Sequence, residues 1–87
     1  MIIFKKMGHF YYAARAFDLM ERMDHNPEYW EGKRGACAGT FQLIIAGQEP
    51  REILREIILL LKNTNSKESE NMIKVMKNWA REVGVNA

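Results

Sequence analysis

The chain is poor in the residues that build covalent or metal-held frameworks. Cys37 is its one cysteine, so an internal disulfide and a zinc site of several thiolates are both excluded. A reducing, cytosolic compartment is the natural setting. His9 and His25 are the only histidines, and neither has a carboxylate or cysteine at ligand spacing on its own face, which argues against a metal. Excess charge of one sign is also missing. Thirteen basic and eleven acidic residues leave a formal charge of +2, and they are scattered, so no block marks a nucleic-acid or membrane footprint. No apolar run approaches the roughly 20 residues needed to cross a bilayer. The opening Met1-Ile2-Ile3-Phe4-Lys5-Lys6 is too short for a signal-peptide core and has its charge on the wrong side. The expectation is a soluble chain that is not secreted. Neither of the common phosphate-loop patterns occurs. Gly32-Lys33-Arg34-Gly35 invites that reading, but no strand precedes it and no hydroxyl residue follows the lysine.

What is present is helical periodicity, in a chain long enough for one small domain. Four helices are expected, over residues 8–23, 28–46, 51–62 and 67–83, in an all-α domain covering residues 1–87. In the first, Phe10, Ala13, Ala14, Phe17, Met20 and Met23 recur every three or four residues as an inward stripe. Asp18, Glu21 and Arg22 then fall on the outer side. Asp24-His25-Asn26-Pro27 stops this helix, because the residue before proline is pushed out of the helical region, and Pro27 can open the next one. The second helix turns Trp30, Cys37, Phe41, Ile44 and Ile45 inward. Its glycines, each costing about 1 kcal/mol relative to alanine, predict a tight crossing at Gly35 and Gly39, with a bend or a break as the alternative. Gly47 ends the second helix, and Pro50 begins the third. Ile53, Leu54, Ile57, Ile58 and Leu61 form the third helix's stripe, and Leu59 and Leu60 extend it almost around the C-terminal half. The fourth turns Met72, Ile73, Met76, Trp79, Ala80 and Val83 inward, with Asn65 or Ser66 as its cap and Gly84 as its terminator.

The segment Gly8 to Pro27 has a particular order: a small residue, an aromatic two places on, then Ala13, Phe17 and Met20, closed by a polar turn. That order matches the second helix and exit turn of a tetratricopeptide repeat, a helix pair that buries its apolar face only against neighbours. Such hairpins stack as a right-handed solenoid and bind proteins rather than perform chemistry. On this reading Gly8, Ala13, Phe17, Met20, Trp30, Phe41, Ile57 and Trp79 hold the repeats together. Arg15, Lys33, Arg34, Leu59, Leu60, Lys74 and Arg81 face partners.

Competing chemistry is thin. A catalytic Cys37 needs a base held close by, and the two histidines sit near opposite ends of the first helix. A free cysteine in a Gly/Ala-rich stretch usually acts as a small hydrophobe. No catalytic residue and no cofactor are expected. Lys74, Lys77 and Arg81 beside Trp79 support an alternative reading as a small helical nucleic-acid-binding module, although Glu70 and Glu82 dilute the charge. A mobility-shift titration across salt concentrations separates the two readings.

Three stretches are more specific than the repeat pattern. FYYAARAFDLMERMDHNPEYWEGKRGA, then FQLIIAGQEPREILREIILLLKNTNS, then MIKVMKNWARE together resemble the C-terminal end of the intraflagellar transport protein 56 family, the tetratricopeptide-repeat subunits of ciliary transport complex B. His25 stands where the family's turn has proline. The resemblance implies a C-terminal fragment of a longer, non-enzymatic adaptor. It implies contacts with other complex B subunits and motility-related cargo, with no nucleic acid and no membrane insertion. It also implies residence in the cilium and basal body, with a cytoplasmic pool.

Overall fold

The computed structural model describes the backbone of residues 2–85 and the side-chain surroundings of residues 9–85. Four helices follow one another: α1 (Ile2–Met23), α2 (Pro27–Ile45), α3 (Glu52–Lys62) and α4 (Lys67–Val83). No strand occurs among the described residues. The fold is all-α, built from tetratricopeptide-like helical hairpins. Helix α1 begins at Ile2, ahead of the start at residue 8 that the periodicity suggests. Helix α2 runs unbroken through its glycines. No helix among the described residues is long and apolar enough to cross a membrane.

Each break has a local cause. Asn26 adopts an extended backbone, and its side chain accepts from the Glu28 N–H at 3.0 Å, capping α2 ahead of Pro27. Gly47 (φ +78°) follows the end of α2 in the left-handed conformation that glycine adopts without steric cost. Ser66 caps α4 by accepting from the Ser69 N–H at 3.2 Å. Gly84 (φ +81°) closes α4, its N–H reaching the Ala80 carbonyl.

Helix α1 lies along α2, α3 lies along α4, and α3 also touches both α1 and α2. The result is a plate of 34 × 31 × 14 Å. Its thickness matches two helix layers, one interaxial spacing of about 8–10 Å plus a backbone diameter of about 4.6 Å. The core is drawn mainly from α2, α3 and α4: Cys37, Ile44, Leu54, Ile57, Leu61 and Met76 are almost fully buried. Residues 9–23 of α1 give it little bulk. Among the described residues of α1, Ala14 is the one fully buried apolar residue, with Tyr11 and Ala13 packed at the margin.

The faces of α1 differ from the periodic reading. Asp18, expected outside, is 1% exposed, whereas Met23, expected inside, is 78% exposed and Phe10 41%. Tyr12, Leu19 and Met23, with Ala16 between them, form an exposed line opposite the core. Apolar residues occupy both sides of α1, so periodicity alone could not choose between them. At the end of α2, Ile45 is likewise half exposed rather than inward.

The close approach of α1 to α2 is at Gly32 and Gly39, not Gly35. A Cβ on Gly32 would meet the Phe17 ring at 2.5 Å, and one on Gly39 would meet the Phe10 ring at 3.0 Å. Gly35 is on the exposed side of α2 with nothing within 4 Å. The missing side chains at Gly32 and Gly39 are what admit two aromatic rings from α1.

Candidate functional site

The most constrained cluster joins α1, α2 and the α3–α4 turn. Residues 33, 37, 40 and 44 share the inward line of α2, so Lys33 sits in register with Cys37, Thr40 and Ile44 and is fully buried. Its Nζ donates to Asp18 Oδ1 at 3.0 Å and to the Leu60 carbonyl at 2.9 Å, and forms an ion pair with Glu21 Oε1 at 2.8 Å. Two of the three donors of the ammonium group are thus bonded, and a second carboxylate sits against it. Asp18 accepts further from Asn63 Nδ2 at 3.1 Å and pairs with Arg22 at 3.2 Å. Thr64 Oγ1 donates to Glu21 Oε1 at 2.6 Å. Two cations and two carboxylates therefore balance locally. That balance, together with the matched donors, is the condition under which charges are tolerated in an interior.

A second bridge links the starts of α2 and α4. Trp30 Nε1 donates to Glu68 Oε1 at 2.8 Å. Arg34 Nη2 meets Glu31 at 2.6 Å, and its Nε lies 3.6 Å from Glu68. Further along the same two helices, Phe41 and Trp79 meet edge to face with centroids 5.7 Å apart, a geometry aromatic rings favour.

The residues expected to hold the repeats together are placed as follows. Ile57 is fully buried; Trp30, Phe41 and Trp79 are half-buried against the core, and Ala13 packs at its edge. Phe17 is half-buried on Gly32, and Met20 is half-buried. The packing of Gly8 lies outside the described residues. Among those expected to face partners, Arg15, Lys74 and Arg81 are exposed, as is Leu59 at 50%. Arg34 is half exposed and occupied by two glutamates. Lys33 is a correction: it reaches no solvent and cannot meet a partner, because the Asp18 and Glu21 carboxylates hold it inside. Leu60 is another, since its side chain packs against the core.

Cys37 is fully buried, and burial pushes its thiol up to about 12. It presents no thiolate at neutral pH, which a cysteine nucleophile requires. Among the described residues, no group of three or more metal-ligating side chains comes together. The arrangement ties α1, α2 and the end of α3 together.

The family model for intraflagellar transport protein 56 matches residues 4–87. The chain belongs to this family. An intraflagellar transport protein 56 homolog from Caenorhabditis elegans is 42% identical over 80 residues, covering 88% of this chain and 14% of that protein. The chain thus spans about a seventh of the length of its relative. Residues that sequence reasoning missed, Asp18 and Lys33, were marked by spacing: 14 and 18 on α1, and 33, 37, 40 and 44 on α2, share inward lines.

Proposed function

We propose that this chain is a non-enzymatic protein-interaction module of an intraflagellar transport adaptor, working within complex B. In that role its partners are other complex B subunits and motility-related cargo. Its sites of action are the cilium and basal body, with a cytoplasmic pool, and its contribution is to cilium assembly and cargo delivery. Family membership supports the transport setting.

The observation that carries the interaction reading is the outer face of α1, where Tyr12, Leu19 and Met23 are 64%, 54% and 78% exposed in a row. An isolated surface residue of this kind is ordinary, but a helix that is apolar on both sides is typically sandwiched between neighbours. The cover for that face is helical repeat, continuing the stack as a right-handed solenoid. Leu59 offers a smaller apolar contact on α3.

The test is affinity purification of a full-length family member from ciliated cells, with and without Leu19→Lys and Met23→Lys at the matching positions. Loss of complex B subunits from the variant, at unchanged abundance, is the expected outcome. Recovery of the same subunits in the same amounts would overturn the reading.

A further inference from the structure

Between the Trp30–Glu68 bridge and the Phe41–Trp79 contact, α2 and α4 leave an open cleft of about 260 Å³. Ala38, Phe41, Met72, Val75 and Met76 supply its apolar wall, and Gln42 and Asn71 line it as well. Val75 is 59% exposed although it sits in the middle of α4, next to buried Met76. The volume falls just short of small-molecule sites, which run to roughly 300–1,000 Å³, and suits one or two apolar side chains. Along the solvent side of α4, next to the cleft, Lys67, Lys74 and Arg81 recur at intervals of seven and all are exposed, with Glu70 set between the first two. No charged residue lines the cleft itself, and Arg34, one turn before Ala38 on α2, is already paired with Glu31 and Glu68.

From this pairing we infer that the α2–α4 cleft is a docking groove for an amphipathic helix of another protein, one with an apolar face and acidic residues along one edge. The apolar side chains enter between Ala38 and Val75. The acidic edge lies over the ridge of Lys67, Lys74 and Arg81, which fixes the direction and favours an acidic partner over a basic one. The groove faces away from the ionic knot, so occupancy leaves the packing of α1 on α2 untouched. The inference rests on the interaction-module reading. It needs no complex B subunit for its test, so the two can fail separately.

The measurement is a titration of the full 87-residue chain with a fluorescein-labelled synthetic helix carrying leucines on one face and glutamates along one edge. A matched peptide has lysine in place of every glutamate. Nuclear magnetic resonance of the isotopically labelled chain locates the contact. Saturable binding of the glutamate peptide is expected, weakening as salt is raised, with shifts centred on Ala38, Met72 and Val75. Val75→Asp removes it, and Lys74→Glu with Arg81→Glu lowers affinity by roughly tenfold or more. All three positions are exposed, so the circular dichroism of the variants stays that of the parent. Four results overturn the inference: no saturable binding, equal binding of the lysine peptide, shifts centred on the outer face of α1, or displacement of the glutamate peptide by single-stranded RNA.

Discussion

Helix α4 meets water with Lys67, Lys74 and Arg81 and the interior with Met76 and Ala80, while α1 meets water with Tyr12, Leu19 and Met23 and the interior with Asp18. The two helices are stabilised in different ways. Apolar area removed from water holds α4 in place, at about 25 cal/mol per Å². Helix α1 relies on small residues, two rings seated on glycines, and two carboxylates, Asp18 and Glu21, balanced by Lys33 and Arg22. Area-based cohesion tolerates imperfect fit, whereas matched charges and bare-backbone contacts do not. Single substitutions should therefore be felt more sharply on the α1 side.

The strongest way to test that contrast is Lys33→Ala. It leaves the buried Asp18 carboxylate and its neighbour Glu21 without their shared cation, and a loss of about 3–5 kcal/mol is expected in urea unfolding. An unchanged midpoint would mean that α1 is held by area after all. Next comes Gly32→Ala, where the new Cβ falls 2.5 Å from the Phe17 ring. Overpacking there should cost about 1–3 kcal/mol, and Phe17→Leu in the same chain should recover part of it. Gly35→Ala, three residues along, meets nothing within 4 Å and should stabilise by up to about 1 kcal/mol through helix propensity. Opposite signs at neighbouring glycines of one helix would separate close approach from propensity.

A smaller effect is expected at the turn between α2 and α3. Burial raises the Glu49 carboxyl above its ordinary range, and its Oε2 has no hydrogen-bond partner. A carboxylate raised in the folded state costs stability when ionised, and that cost fades as pH falls through the raised value. Glu49→Gln should give a small gain at neutral pH, shrinking as the pH is lowered towards the ordinary glutamate range near about 4.3. Thermal melts of both proteins across that range would check it. The smallest effect belongs to Leu19→Lys on the outer face of α1, expected within about 0.5 kcal/mol in the isolated chain. A large loss would show that the face is already covered.

Helix positions were legible because polar turns and prolines punctuate the chain: Asn26-Pro27 and Asn63 to Ser66 mark two of the joints without ambiguity. Inward residues of α3 and most of those of α4 were legible for a related reason, since Leu54, Ile57 and Leu61, and Met72, Met76 and Ala80, recur at helical spacing. Val83, expected inward, is 38% exposed at the end of α4. The faces of α1 were not. Hydrophobicity ranks Asp18 and Lys33 as surface residues, and their burial depends on each finding the other across two helices, a pairing that no single-helix pattern contains. Gly32 was missed in favour of Gly35 for the same reason. A glycine's purpose lies in what approaches it, and the Phe17 ring comes from a different helix. The cleft beside Val75 is likewise a property of two helices set side by side.

The ammonium of Lys33 has one further consequence. Its three oxygen partners come from α1 and from the last turn of α3, while the lysine itself belongs to α2. Sliding any one of these helices by a single residue would strand a charge away from water, whereas a greasy seam could re-form after the slip. The side chain therefore acts as an alignment pin: of the many ways three short rods can nestle, it penalises all but one.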